Sequence, residues 1–279
     1  PHAARLATTL PSLVALLGAI TALHVMGLID DRRGLPAIPK LLVQIGAASV
    51  LVVWFDVRLL ELLGPVPSVI VTIIWIVAVT NAINFLDNMD GLAAGVSAIA
   101  ATLLMVACLV NHQWFIAATL ALLIGGLLGF LVFNIPPARI FMGDGGSLVV
   151  GFLLAVLTAR TTYLHPDLGG GWFGVFMPVI ILAIPLYDLT SVTIIRLSQG
   201  KSPLVGDQQH FSHRLVQRGF SRRGAVFTIW GATAVTGIGG VSLGRLDGWQ
   251  AALVGTQTLL VLAWIAMMEH GSRHAARER

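Results

Sequence analysis

The feature that most constrains this chain is a series of apolar stretches, each about as long as a transmembrane helix. A membrane-spanning helix needs about 20 apolar residues, because the hydrocarbon core of a bilayer is ~30 Å thick. Short polar segments separate these stretches from one another. The sequence therefore predicts an all-α, polytopic membrane bundle with spans at about 12–29, 40–55, 68–86, 92–110, 115–133, 147–164, 173–195, 224–243 and 250–268.

Composition excludes an ordinary soluble protein. Charged residues make up 11% of the 279 residues and hydrophobic residues 56%, whereas about 25% of a typical soluble domain is charged. So few charges cannot cover a globular surface in water. The sequence contains no linker-like or low-complexity segment and no clear repeat. It therefore predicts one membrane-embedded domain over residues 1–279, with the lipid bilayer as a partner and no nucleic acid partner.

The basic residues predict which ends of the helices face the cytoplasm. With nine crossings, alternate connections lie on opposite sides, and one set holds most of the 17 Lys and Arg residues. Cytoplasmic loops are enriched in Lys and Arg. The majority set, predicted to be cytoplasmic, is Arg32, Arg33, Lys40, Arg139, Arg196, Lys201, Arg214, Arg218, Arg222, Arg223, Arg273, Arg277 and Arg279.

Polar residues gather in four segments that all fall on this predicted cytoplasmic side. Ionisable residues next to membrane spans are costly and are candidates for function. The four groups are Asp30 with Asp31; Asn81, Asn84, Asp87, Asn88 and Asp90; Asp144; and Asp207, His210, His213 and Arg214. We expect them to form a site in a cell (plasma or inner) membrane, open to the cytoplasm.

Each group also has a purely structural interpretation. Asp30 and Asp31 are neighbours about 100° apart on a helix, so one can face a ligand while the other orients a neighbouring helix or a cation. Their structural alternative is a solvated helix end in which both pair with Arg32 and Arg33. The Asn81, Asn84, Asp87, Asp90 series repeats every three residues and predicts a polar stripe. Its alternative role is hydrogen bonding between helices.

Asp144 lies among glycines at the start of a predicted helix. Backbone N–H groups there attract phosphate, and Mg²⁺ takes one or two carboxylates together with phosphates and water; the alternative is a helix cap. His210, His213 and Arg214 add donors for a phosphate. His-x-x-His also fits half of a zinc site, but the oxygen-rich set favours Mg²⁺. The residues thus predict a membrane enzyme that handles a diphosphate with Mg²⁺.

Four ordered motifs carry a resemblance to a known family. They are Ile29-Asp30-Asp31-Arg32 followed by Pro39-Lys40-Leu41, Asn81-Ala82-Ile83-Asn84-Phe85-Leu86-Asp87-Asn88-Met89-Asp90-Gly91, Phe141-Met142-Gly143-Asp144-Gly145-Gly146-Ser147 and His210-Phe211-Ser212-His213-Arg214. In this order they resemble the polyprenyl-phosphate N-acetylhexosamine-1-phosphate transferases, the WecA/TagO/MraY-like glycosyltransferase family 4. The His-x-x-His-Arg motif resembles the WecA/TagO branch.

The resemblance implies a phosphoglycosyltransferase that moves N-acetylhexosamine-1-phosphate, foremost GlcNAc-1-phosphate, from a UDP-sugar to undecaprenyl or decaprenyl phosphate and releases UMP. This reaction begins the synthesis of cell-envelope polysaccharides. By the resemblance, Asp144 and Asn84 bind Mg²⁺ or Mn²⁺, and Asp30 or Asp31 deprotonates or positions the lipid phosphate, so that Asp30, Asp31 and Asp144 are catalytic.

The remaining polar residues are expected to contact substrate. The resemblance places Asp87 and Asp90 in the nucleotide pocket; we expect Asn81, Asn84, His210, His213 and Arg214 to bind substrate as well. Asp188 also matches the WecA-like pattern, and we assign it to packing or a buried pair. A homodimer is also left open.

Two departures from the family and two other functions stay open at this point. Asn88 stands where many relatives have glycine, and the family has two further spans and a cytoplasmic loop before the first helix of this chain, so we expect an N-terminally partial sequence. The alternatives are phospho-MurNAc-pentapeptide transfer in peptidoglycan synthesis and, more distantly, a multispan transporter, whose site would lie near the bilayer midplane.

Overall fold

The computed structural model describes residues 2–161, 163, 172–205 and 209–270. Asp207 and the basic tail residues Arg273, Arg277 and Arg279 therefore lie outside the described residues. All regular secondary structure within those ranges is helical, and they contain no β-strand. This confirms the predicted all-α class.

Eleven α-helices occur in the described part of the chain. They are α1 (His2–Arg33), α2 (Ala37–Trp54), α3 (Pro65–Leu86), α4 (Leu92–Val110), α5 (Trp114–Asn134), α6 (Gly143–Arg160), α7 (Met177–Ile181), α8 (Ala183–Ser198), α9 (Phe211–Gln217), α10 (Arg222–Val241) and α11 (Gly248–His270). Single 3₁₀ turns lie at Glu61–Leu63, Trp172–Phe176 and Leu243–Arg245.

Within the described ranges, eight helices are long and apolar enough to span a membrane, and a bent pair supplies a ninth span if it counts as one. The bent pair joins Trp172–Ile181 to Ala183–Ser198 at 69° and replaces the single predicted span 173–195. Pro185 gives a physical reason for the break, because it has no N–H to donate to the carbonyl of Ile181 four residues earlier. The other predicted spans correspond to single helices.

The first of two compact units contains α1, α2, α3 and α6, within residues up to Asp87 and Phe141–Thr161. In this unit, neighbouring helices approach each other closely at glycine residues. A Cβ atom added to Gly27 of α1 would lie 2.4 Å from the backbone N of Gly145, and one on Gly151 of α6 would lie 2.8 Å from Cα of Thr80 on α3. Small residues permit such approach between membrane helices, and here they bring the start of α6 beside the end of α1.

The second unit contains α4, α5 and α7 to α11, within Asn88–Ile140 and Thr162–Arg279. Helix α10 packs on α4, where a Cβ atom on Gly95 would overlap the indole of Trp230 at 1.9 Å. The short helix α9 packs against α10. That residues 1–279 behave as one domain stays a prediction.

Candidate active site

Four carboxyl groups of the first unit lie around the start of α6, and we call them the carboxylate cluster: Asp30, Asp31, Asp87 and Asp144. Asp30 and Asp31 come from the last turn of α1, Asp87 follows α3, and Asp144 is in the first turn of α6. The ammonium Nζ of Lys40, on α2, lies 2.6 Å from Asp30 Oδ2 and 3.2 Å from Asp144 Oδ2. Lys40 thus joins two carboxylates that are far apart in sequence.

Asn84 lies against Asp144, and that the two bind a metal ion stays a prediction. Its Nδ2 donates to Asp144 Oδ1 at 2.8 Å and to Ser147 Oγ at 2.9 Å. The Ser147 hydroxyl in turn donates to the carbonyl of Gly143 at 2.9 Å. These hydrogen bonds orient the amide of Asn84 and hold the Asp144 carboxylate at the N-terminus of α6. Ser147 is a contributor that the motif contained but to which sequence reasoning gave no role.

Asp31 caps α6. Its Oδ1 accepts the N–H of Asp144 at 2.8 Å, and its Oδ2 accepts the N–H of Gly145 at 3.3 Å. Gly143 has φ +61°, and a Cβ atom there would lie 2.6 Å from Asp31 Oδ2, so the glycine is needed for this approach. A carboxylate at a helix N-terminus satisfies free N–H groups and the helix dipole. The cap of α6 is therefore Asp31, not Asp144.

Asp30 has different partners from its neighbour. Its Oδ1 accepts the N–H of Leu35 at 2.5 Å, and its Oδ2 pairs with Lys40. The two adjacent aspartates thus point to different groups, as their angular separation on a helix predicted. Although Asp31 is exposed, its carboxylate contacts the start of α6, and that of Asp30 contacts Lys40 and Leu35, so the structural alternative of pairing with the neighbouring arginines does not describe their contacts.

Asp87 lies in a setting that disfavours its charged form. Burial, and then the nearby Asp144 and Asp31 carboxylates, raise the pKa of Asp87 to about 7, although the N–H of Gly143 hydrogen-bonds to it. Desolvation and like charge both oppose ionisation of a carboxyl group. An additional cation would therefore be stabilised beside Asp87.

The cluster suits a magnesium-type cation in donor chemistry and charge. In the described part of the chain, Lys40 is the cationic side chain in ion-pair contact with the cluster, and it contacts two of the four carboxyl groups, so negative charge is in excess. No three Asp, Glu, His or Cys side chains among the described residues form a ready metal-binding group. Mg²⁺ does not require one, because one or two protein carboxylates suffice when phosphates and water complete the octahedron.

Asn81, the first residue of the predicted polar stripe, faces a different partner. Its Nδ2 donates to Gln44 Oε1 on α2 at 2.5 Å and to the carbonyl of Val77 at 2.8 Å. Gln44 is buried and was not singled out in the sequence. The amide of Asn81 thus makes the interhelical hydrogen bond that was its structural alternative, and its substrate contact stays a prediction.

Asp90 and Asn88 belong to the second unit and organise loops there. Asp90 Oδ2 accepts the N–H of Ala138 at 3.0 Å, in the connection after α5. The Ser212 hydroxyl of α9 donates to Asn88 Oδ1 at 2.5 Å. Nothing in these contacts tests the predicted role of Asp90 in nucleotide binding.

His210 and His213 lie at the start of α9 and in its first turn. Nδ1 of His210 is 2.9 Å from Oδ2 of Asp188 on α8, and Asp188 Oδ1 accepts the N–H of Phe211 at 2.6 Å. Asp188 is completely buried, which confirms its predicted buried pair. Burial, with the charges of His210 and Arg222, lowers the pKa of His213, so this imidazole is mainly neutral at pH 7.

Arg214 makes its contacts inside the second unit. Its Nη2 donates to Ser191 Oγ at 2.8 Å and to Glu269 Oε1 at 3.1 Å, and its Nη1 donates to the carbonyl of Gln209. Glu269 was overlooked in the sequence, although it is the acidic residue of the last apolar stretch. The predicted contact of Arg214 with substrate remains untested.

Comparison with known proteins gives a consistent family. The model for "Glycosyl transferase family 4" matches residues 13–162. The "Probable undecaprenyl-phosphate N-acetylglucosaminyl 1-phosphate transferase" of Bacillus subtilis (strain 168) is 38% identical over 216 residues, 74% of this chain and 59% of that protein. The "Decaprenyl-phosphate N-acetylglucosaminephosphotransferase" of Mycolicibacterium smegmatis is 35% identical over 274 residues, 88% of this chain and 66% of that protein.

A relative from the peptidoglycan branch is more distant. The "Phospho-N-acetylmuramoyl-pentapeptide-transferase" of Levilactobacillus brevis is 30% identical over 254 residues, 83% of this chain and 74% of that protein. The chain spans 59% and 66% of the lengths of the Bacillus and Mycolicibacterium relatives. None of these three relatives is named as a transporter. With the family model covering more than half of its residues, the chain belongs to glycosyl transferase family 4.

Proposed function

We propose that the full-length protein transfers GlcNAc-1-phosphate from UDP-GlcNAc to undecaprenyl or decaprenyl phosphate and releases UMP. The reaction takes place at the cytoplasmic side of the cell membrane and starts the synthesis of a cell-envelope polysaccharide. The names of the Bacillus and Mycolicibacterium relatives, which combine a polyprenyl phosphate with N-acetylglucosamine, support this choice. The concentration of basic residues on one predicted side supports the orientation.

The observation that carries the proposal is the setting of Asp144. Its carboxylate lies between the Asn84 amide and the Lys40 ammonium, within a cluster that holds more carboxyl groups than cations. A phosphotransferase needs such a place, because it must gather the charges of a diphosphate donor and an anionic acceptor. In our proposal, Asp144 and Asn84 hold Mg²⁺ or Mn²⁺, which would neutralise charge on the diphosphate.

The other residues of the cluster then have separate tasks. Asp31 caps α6 and thereby fixes the backbone that carries Asp144. Asp30, held by Lys40 and the N–H of Leu35, orients the lipid phosphate for in-line attack on the β-phosphorus of the donor. Single displacement needs no covalent enzyme intermediate, since the lipid phosphate is itself a competent nucleophile.

The remaining predicted residues supply binding. Asn81, Asp87 and Asp90 are proposed to contact the nucleotide-sugar. His210, His213 and Arg214 are proposed to donate hydrogen bonds to phosphate oxygens; a neutral His213 keeps one N–H donor for this purpose.

The test is an assay of UMP release by the full-length protein with decaprenyl or undecaprenyl phosphate. UDP-GlcNAc, UDP-GalNAc and UDP-MurNAc-pentapeptide are compared as donors, each with Mg²⁺ and with a chelator. We expect turnover with UDP-GlcNAc that stops in the chelator and returns with Mg²⁺. Turnover with the pentapeptide donor alone would contradict the choice of sugar, and turnover undiminished by the chelator would contradict the cation.

A further inference from the structure

Glu269 is a buried carboxylate near the end of a membrane-spanning helix. It lies in the last turn of α11 and is 6% exposed. A carboxylate in such a helix is costly unless it has partners. Its Oε1 accepts a hydrogen bond from Arg214 Nη2 at 3.1 Å, and its Oε2 accepts one from the Tyr187 hydroxyl at 2.9 Å. Both oxygens of Glu269 are therefore used inside the protein.

Arg214 connects Glu269 to the rest of the second unit. Arg214 Nε lies 3.1 Å from Glu269 Oε2, so the guanidinium faces both oxygens of the carboxylate. The same guanidinium donates to Ser191 on α8 and to the carbonyl of Gln209 just before α9. One buried ion pair thus ties α9 to both α8 and α11. The charge-assisted hydrogen bond from Nη2 to Glu269 Oε1 is stronger than one between neutral groups, so the pair helps to fix the position of Arg214.

Helix α9 needs such external support. It has seven residues, and a helix this short is not stable without tertiary contacts. Asp188 holds its start through His210 and the N–H of Phe211. Arg214 holds the following turn, and His213 lies between these two attachments. The positions of both imidazoles therefore depend on buried carboxylates of α8 and α11.

We propose that Glu269 is a positioning residue that acts through Arg214 to fix α9, and with it the imidazoles of His210 and His213. Glu269 itself touches no substrate. The consequence for turnover rests on the proposed transferase function, whereas the consequence for the order of α9 does not.

The experiment compares Glu269→Ala, Glu269→Gln and Tyr187→Phe with Met267→Ala in the full-length protein in lipid nanodiscs. Met267 lies on the same turn of α11 and is 64% exposed, so its truncation controls for a change in the helix end. Two quantities are measured: amide hydrogen exchange of residues 209–217, and kcat and KM for UDP-GlcNAc normalised to folded protein.

We expect Glu269→Ala to raise exchange in α9 by about 10-fold or more and to lower kcat by a similar factor, because it leaves a buried arginine without its counter-ion. KM for UDP-GlcNAc should stay within about 3-fold, because the hydrogen bonds proposed for the two imidazoles act mainly on the charge that develops on the phosphate oxygens in the transition state. Glu269→Gln keeps acceptor and donor atoms and should recover part of the activity. Tyr187→Phe should have the smallest effect of the three, and Met267→Ala should behave as wild type.

Unchanged α9 exchange in Glu269→Ala would overturn the proposal, as would an equal rise across the helices of both units. If Glu269→Ala gives no folded protein, Glu269→Gln and Tyr187→Phe decide: wild-type exchange and wild-type kcat in both would overturn it. Failure of the transferase function is distinguishable, because a wild-type protein without UMP release still reports α9 exchange. In that case, a local rise in Glu269→Ala would still support the positioning role.

Discussion

The two polar regions of the molecule use charge in opposite ways. In the carboxylate cluster of the first unit, two of the four carboxyl groups, those of Asp30 and Asp144, contact one ammonium group, that of Lys40. In the second unit, Asp188 pairs with His210 and Glu269 pairs with Arg214. The first region thus has negative charge left over, whereas the carboxylates of the second are matched by buried cationic or hydrogen-bonding partners.

This difference indicates which region can bind a cation and which region holds helices in place. Excess charge of one sign is retained where a ligand of the other sign is to be bound, because uncompensated burial is otherwise destabilising. Matched buried pairs hold elements in place. We therefore expect substitutions in the carboxylate cluster to lower catalysis and cation binding first. Substitutions among the matched pairs should mainly make the helices that they hold less ordered.

The largest expected effect is that of Asp144→Asn. The substitution removes the negative charge that contacts both Asn84 and Lys40. We expect kcat for UMP release to fall roughly 1000-fold, as for other losses of transition-state charge stabilisation. Asp56→Asn is the matched control in the same unit, because the Asp56 side chain is 75% exposed. A kcat of Asp144→Asn within a factor of about 3 of wild type would contradict the catalytic role given to the carboxylate cluster.

A smaller effect is expected from the pH dependence of stability through Asp87. Its pKa is about 7 in the folded protein against 3.8 for the ordinary group. The protonated form of Asp87 is therefore favoured by folding. The contribution of Asp87 to the free energy of unfolding is fully present below about pH 4 and is lost as the pH rises to about 7. Without divalent cations, Asp87→Asn should remove a decline of at most about 4 kcal/mol, which is the free energy of a pKa shift of roughly three units, seen as a flatter plot of Tm against pH.

Asp247→Asn, at an exposed position outside the carboxylate cluster, is the matched substitution with which the profile of Asp87→Asn is compared. Identical plots of Tm against pH for wild type and Asp87→Asn would show that the cluster does not raise the pKa of this carboxyl group.

The smallest effect is expected at the amide pair of Asn81 and Gln44. Each alanine variant should lose about 1 kcal/mol of stability, and the double variant should lose little more, because one shared hydrogen-bonded contact is removed. Thermal unfolding of the four proteins measures this coupling. KM for UDP-GlcNAc separates the two roles of Asn81: a rise in Asn81→Ala but not in Gln44→Ala would assign it to substrate binding.

Much of the architecture could be predicted from the sequence, because apolar length alone selects helices in a membrane. The break between α7 and α8 could not be placed from hydropathy, since the apolar stretch continues through it; Pro185 was the available signal. Sequence patterns also cannot tell which buried polar groups pair.

The candidate site was only partly predictable for the same reason. Motifs indicated Asp30, Asp31, Asn84, Asp87 and Asp144, and the structure brings these residues of the first unit together. Lys40 stood in a motif but was given no role, and Gln44 and Glu269 were missed, because the importance of all three lies in partners that are distant along the chain. Only the packing of helices reveals that Asp31 caps α6 or that Glu269 reaches Arg214.

The most direct test of the central claim is Mn²⁺ binding to the full-length protein, followed by electron paramagnetic resonance in nanodiscs without substrate. We predict a bound Mn²⁺ that Mg²⁺ displaces, that Asp144→Asn weakens by about 30-fold, and that Lys40→Gln tightens by about 10-fold because a competing positive charge is removed. Equal Mn²⁺ affinity in wild type, Asp144→Asn and Lys40→Gln would contradict the account, since the carboxylate cluster would then not be the place where the cation binds.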